Sequence, residues 1–180
     1  MRPLKRMIII SLLAAVLSIS AYISIPLPIS TVPFTLQSLF LMVIALSMPV
    51  SISFPTVGLY LLLGAIGLPV FSNGTAGLTV LFGPTGGYLF GFLFSTLVIG
   101  FIKERLEYFY GYLTAALIGG IGVVYIFGVL GLIYILGMSM DKAIAVGVIP
   151  FLPLDLFKVF ISSAFVYKYR NQFNRILKKA

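Results

Sequence analysis

Between Arg6 and Lys103 the chain carries no charged side chain at all. A water-soluble domain wears charge on about 25% of its residues; here the fraction over the whole chain is 9%, against 61% hydrophobic. Too little polar surface exists to coat a globule of 180 residues. Lipid is therefore the solvent for most of this chain.

Proline, glycine and charge divide the sequence into six apolar segments: Met7–Ile25, Phe34–Met48, Phe54–Gly67, Tyr88–Ile102, Tyr110–Met138, and a last one that starts after Pro150 and Pro153 and runs to Tyr167. A bilayer-crossing helix takes about 20 apolar residues, so the second and third segments are short for the task. The expected fold is an all-α integral membrane protein. It forms one domain over residues 1–180, a bundle of six transmembrane helices with a glycine-rich loop between helices 3 and 4. Irregular backbone at membrane depth survives only where protein or a cavity covers it. The apolar loop Val70–Gly87 is accordingly expected to cap an outward-facing cavity.

Charge sets the orientation. Arg2, Lys5, Arg6, Lys103, Arg105, Lys168, Arg170, Arg175, Lys178 and Lys179 fall on one side of a six-span arrangement, Lys142 falls on the other, and Lys158 lies inside the last span. Basic residues collect on the cytoplasmic side, which predicts a multi-pass protein of the cell membrane with both termini cytoplasmic. A five-span arrangement leaves one basic end outside. The first segment is longer than the apolar region of a secretory signal and lacks an A-x-A cleavage site, so it reads as a retained helix.

The same composition excludes chemistry. The chain has no Cys and no His, hence no thiol nucleophile, no imidazole base, no thiolate or imidazole metal site and no disulfide. With a single acidic residue inside the spans, no usual catalytic constellation can be assembled, and an enzyme is not expected. The net charge of +8 is split between the termini and one central cluster, unlike the basic stripe of a nucleic-acid surface.

Four features remain to carry function. Asp155 and Lys158 are three residues apart in Pro153-Leu154-Asp155-Leu156-Phe157-Lys158 and share a helix face. The pair either anchors a helix end at the interface or faces the bundle interior, where Lys158 meets a substrate acceptor; intramembrane ionisable residues are functional candidates by default. The loop Gly67–Tyr88 offers Asn73 as an amide donor and acceptor, with Phe71 and Tyr88 as rings. Gln37, about a turn inside an apolar helix, needs a buried partner, so it bridges helices or faces a ligand. Ser11 and Ala15 form a small-xxx-small pair that lets another helix approach closely, within this bundle or from a second membrane subunit.

Four runs in order resemble the BioY family, the biotin-specific S components of energy-coupling-factor (ECF) vitamin transporters. They are Ile25-Pro26-Leu27-Pro28 with Val32-Pro33-Phe34-Thr35-Leu36-Gln37; Gly67-Leu68-Pro69-Val70-Phe71; Gly83-Pro84-Thr85-Gly86-Gly87-Tyr88-Leu89 with Gly91-Phe92; and Pro150-Phe151-Leu152-Pro153-Leu154-Asp155-Leu156-Phe157-Lys158. The resemblance implies a subunit that captures biotin outside the cell as a transported substrate, not a cofactor. It further implies a transmembrane coupling subunit and two cytosolic ABC-type ATPases as partners, with Asn73, Asp155 and Lys158 contacting biotin. The family's small-residue motif, often Ala-xxx-Ala, reads Ser11-xxx-Ala15 here and would meet the coupling subunit. Biotin's apolar chain and ring system suit a wall containing Phe71 or Tyr88, while its ureido group and carboxylate suit Asn73, Asp155 and Lys158 in an order the residues leave open. The competing reading is a self-sufficient secondary transporter or channel for a small amphiphilic solute; such proteins often show duplicated halves and midplane charges, and no duplication is evident.

Overall fold

The computed structural model describes residues 3–28 and 30–178. Arg2 and Lys179, both counted toward the orientation, lie outside the described residues. The chain runs α1 (Pro3–Tyr22), a hairpin of β1 (Ser24–Ile25) and β2 (Phe34–Thr35), α2 (Gln37–Ser47), α3 (Val50–Ala65), a 3₁₀ turn (Ser72–Gly74) and α4 (Leu78–Leu81). It continues through α5 (Gly86–Arg105), α6 (Phe109–Ala115), a π-helical segment (Ala116–Val123), α7 (Val124–Leu136), α8 (Met140–Gly147) and α9 (Leu152–Lys178).

By length and composition, three helices among the described residues are able to cross a bilayer: Pro3–Tyr22, Gly86–Arg105 and the unbroken Phe109–Leu136. The pair α8 and α9, bent by 55°, makes a fourth when taken as one span, while α2 and α3 are apolar but shorter. Burial is arranged as lipid requires. Ser53, Thr56, Ser95, Thr96, Ser162 and Ser163 are fully buried, whereas Ile66, Tyr134, Ile19 and Leu12 are more than 60% exposed. Small and hydroxylated residues mediate helix contact in a bilayer, and large apolar ones face the acyl chains.

Several boundaries differ from the sequence expectation, each for a local reason. The first helix stops at Tyr22 because Ser24 and Ile25 pair in antiparallel register with Thr35 and Phe34. These four strand residues sit in a fold expected to be all-α. They also delay the second helix to Gln37, since the backbone groups of residues 34 and 35 are spent on β1. Pro49 ends that helix by holding Met48 extended (φ −110°, ψ 148°). The third helix begins at Val50, not Phe54, and runs through Pro55. A proline inside a helix strips one carbonyl of its partner. That carbonyl belongs to Ser51, and Arg6 Nη2 donates to it at 2.6 Å, tying α1 to α3. Downstream, α8 is a helix the sequence reading did not foresee, and α9 extends well beyond Tyr167.

Helix α5 is the central member, packed against α7, the π segment, α3, α2 and α6; α2 lies along α9, and α1 along α3. Gly87 and Gly91 make the α5–α7 approach possible, because a methyl group at either would meet the α7 backbone at Phe127 or Val124. Lys103, expected in a free basic loop, is instead the buried end of α5. Its ammonium donates to the carbonyls of Ala45 (2.7 Å), Leu46 (3.0 Å) and Met48, capping α2.

Candidate ligand-binding site

Helix α9 opens with Leu152-Pro153, a proline in the first turn where its missing N–H costs nothing. Asp155 and Lys158 follow on the inward face, 8% and 5% exposed. Both side chains face the bundle interior and not an interfacial helix end. Lys158 Nζ donates to Asp155 Oδ1 (2.7 Å), Ser38 Oγ (2.7 Å) and the Thr35 carbonyl (2.8 Å), and it lies 4.0 Å from the centre of the Phe34 ring. An ammonium has three donors, so all are committed. The hairpin explains how: β2 presents the Thr35 carbonyl and the Phe34 ring, and the first turn of α2 presents Ser38.

Asp155 is held from three helices. Oδ1 accepts from Lys158 and, at 3.4 Å, from Ser38; Oδ2 accepts from the Tyr125 hydroxyl at 2.7 Å. Gln37, 3% exposed, donates from Nε2 to the Tyr60 hydroxyl, joining α2 to α3. It bridges two helices as expected of a buried amide, and it also lines the cavity. Tyr88 enters from α5 and donates to the Gly147 carbonyl at 2.8 Å. Its ring fills a slot between Gly128 and Gly147, where any methyl group would collide with it.

These groups surround one cavity of about 70 Å³. Its wall is mostly apolar: Val32, Phe34, Leu89, Phe92, Val124 and Phe151 contribute, along with Phe71 from the loop. Phe71 is fully buried, its ring set edge-on to Tyr60 with centroids 5.5 Å apart. Around it the loop is structured, with Gly77 N–H bonded to Gly64 O at 2.7 Å and the Tyr22 hydroxyl donating to Pro69 O.

Five of the six residues singled out for ligand binding, Gln37, Phe71, Tyr88, Asp155 and Lys158, therefore line the same cavity. Asn73 does not. It is exposed in the left-handed conformation (φ 57°), while its neighbour Ser72 lines the cavity. Ser11 and Ala15 are both exposed on α1, with buried Ala14 between them. Sequence reasoning missed Ser38 and Tyr125. Ser38 adjoins the flagged Gln37, and Tyr125 is a lone hydroxyl one residue past the glycine-rich Gly119–Val124 stretch, a signal too slight to single out.

Donors and acceptors at the cavity are unevenly committed. Lys158 has no donor left, and its charge is matched by Asp155. Free capacity remains on Asp155 Oδ2, on the Gln37 carbonyl and second amide hydrogen, and on the Tyr125 and Tyr88 oxygens. The polar end thus offers several acceptors beside an apolar wall, with the Gln37 amide hydrogen as a neutral donor and the hydroxyl-bearing Thr35, Ser72 and Thr85 also in the lining. That suits a neutral group that both donates and accepts, and it leaves no free cation for a buried anion.

The comparisons agree with this architecture. Residues 1–175 match the model of the BioY family. The biotin transporter BioY of Thermotoga maritima is 41% identical over 160 residues, covering 89% of this chain and 92% of that protein. The biotin transporter BioY2 of Lactococcus lactis is 34% identical over 159 residues, covering 87% and 85%. Among solved structures, the S-component for biotin from an ECF-type ABC transporter superposes with a TM-score of 0.87 at 26% identity, covering 93% of this chain and 92% of that one. The chain belongs to the BioY family.

Proposed function

We propose that this protein is the substrate-binding subunit of an ECF-type ABC transporter and that its substrate is biotin. One observation supports the substrate above others: the open groups of the cavity complement a cyclic urea. A ureido ring has two N–H donors and one carbonyl acceptor. Asp155 Oδ2 and the Gln37 carbonyl suit the former, and the second Gln37 amide hydrogen suits the latter. The fused ring then packs on the wall that includes Tyr88, Phe71 and Phe92, the mixture of apolar surface and few polar groups usual for small-molecule sites. The ligand carboxylate faces the mouth near Ser72 and Asn73, because Lys158 is committed and a second buried anion beside Asp155 is costly. Asn73 joins the site as the loop meets the ligand.

The chain is not an enzyme, and transport driven by ATP requires partners: a transmembrane coupling subunit and two cytosolic ABC-type ATPases. The exposed small face at Ser11 and Ala15 suits the coupling subunit. In this reading the chain crosses the cell membrane six times, the short α2 and α3 being two of the spans, with both termini cytoplasmic. Reporter fusions at each terminus test the orientation. Calorimetry on the purified chain with biotin, riboflavin, thiamine and folate tests the substrate: preferential binding of biotin is expected, and preference for another vitamin or for none overturns the proposal.

A further inference from the structure

Tyr125 is not needed to close the Lys158–Asp155 ion pair, yet it takes the one carboxylate oxygen that Lys158 leaves open. We infer that Tyr125 is a positioning and specificity-determining residue: its hydroxyl fixes Asp155 and makes the site select a neutral N–H donor over a cationic one. This rests on the biotin reading above.

Lys158 and Ser38 occupy Oδ1, and the Tyr125 hydroxyl occupies one acceptor position of Oδ2 at 2.7 Å. With each oxygen bonded to a different element, the carboxylate cannot turn about its Cβ–Cγ bond without losing a partner. A single acceptor position on Oδ2 then remains for a ligand. The Tyr125 donor also withdraws charge from that oxygen, since hydrogen bonds to an ionised acceptor are the strong ones. A site so tempered favours a urea N–H. Without the hydroxyl, Oδ2 has two open positions and more charge, which favours a cation.

The chain places Tyr125 with some care. It stands two residues past the π-helical segment Ala116–Val123, which packs against α5, α9 and α2. π-helical turns inside α-helices are rare and concentrate at functional sites. Here the segment sets the register in which Val124 and Tyr125 both line the cavity.

The test compares Tyr125→Phe with the unaltered full-length chain, measuring dissociation constants at neutral pH for biotin and for 2-iminobiotin, the cyclic guanidinium analogue that is cationic there. The unaltered protein prefers biotin. In Tyr125→Phe, biotin weakens while 2-iminobiotin holds or strengthens, so the ratio of the two constants moves at least tenfold toward the cation. Equal weakening of both ligands, or a ratio within twofold of the starting value, overturns the inference. Replacing Tyr125 by 3-fluorotyrosine, a stronger donor of nearly the same shape, should move the ratio the opposite way; it remains informative where Tyr125→Phe does not fold, and no movement there overturns the inference as well. Failure of the unaltered chain to bind biotin overturns the biotin reading instead, which separates the two claims.

Discussion

Lys103 and Lys158 grip opposite ends of the same short helix. Lys158, on α9, bonds Ser38 in the first turn of α2 and Thr35 just before it; Lys103, on α5, bonds the carbonyls of Ala45, Leu46 and Met48 at the far end. With only the eleven residues Gln37–Ser47, α2 is marginal as a free helix. Its last carbonyls have no partner within the helix, and lipid supplies none. The two lysines meet both needs, and the cavity residues Gln37 and Ser38 inherit their fixed position from them.

The first expected outcome concerns the far end. In Lys103→Met the α2 carbonyls lose a cationic cap whose individual bonds are worth about 1.5–3 kcal/mol each. Thermal unfolding in detergent should begin several degrees lower, while biotin binding at low temperature stays within about threefold, since the cavity is untouched. An unchanged melting temperature would show that water satisfies those carbonyls as well as Lys103 does.

At the cavity end, the pair should respond non-additively. Lys158→Met leaves Asp155 as a buried charge short of its cation, and Asp155→Asn leaves Lys158 in the reverse position; removing one member of a buried pair costs about 3–5 kcal/mol. The double variant Asp155→Asn with Lys158→Met contains no buried charge at this site and should recover much of that stability, but not biotin binding. Melting curves and calorimetry on the three variants separate these effects. A double variant no more stable than either single one would deny that the two charges compensate each other.

How much of this was legible in the sequence follows from the reach of each signal. The lipid solvent and most helices follow from local composition, so the uncharged run and its proline and glycine breaks placed them. Asp155 and Lys158 were conspicuous because charge inside a span is rare. Boundaries set by long-range partners were not legible. The third segment was expected from Phe54, yet α3 begins at Val50 and runs through Pro55, where Arg6 supplies the missing bond. Lys103 looked like a loop cation, yet its partners lie more than fifty residues earlier. Tyr125 gained meaning only from the π segment, whose widened turn no hydrophobic period announces. Asn73 stood out as a lone amide in the apolar loop as well as from the resemblance, and this conformation holds it outside the cavity that its neighbours line.

Asn73 can be tested without disturbing its turn. Its left-handed backbone (φ 57°) is one that Asn tolerates and Gly adopts freely. Asn73→Gly therefore keeps the loop while deleting the amide, and Asn73→Ala adds strain to the same deletion. With the amide contacting bound biotin, Asn73→Gly should weaken binding about tenfold, the worth of roughly one hydrogen bond. Full affinity in Asn73→Gly with weakened binding in Asn73→Ala would assign Asn73 to the turn alone.

The partner face can be separated from the ligand site altogether. Ser11 and Ala15 are exposed on α1, and no cavity residue lies on that helix. Close helix approach depends on small side chains at such positions, because backbone packing replaces the hydrophobic effect within a bilayer. Ala15→Phe should leave biotin affinity and the melting temperature of the isolated chain unchanged, since the new ring projects into lipid. Co-expressed with a transmembrane coupling subunit and its ATPases, the same variant should lose most of the complex on affinity purification, and biotin uptake should fall in parallel. Ala15→Ser, which preserves the small pair, should retain both. Normal complex yield with Phe at this position would move the docking face to another helix while leaving the proposed ligand site at Asp155, Tyr125 and Gln37 unaffected.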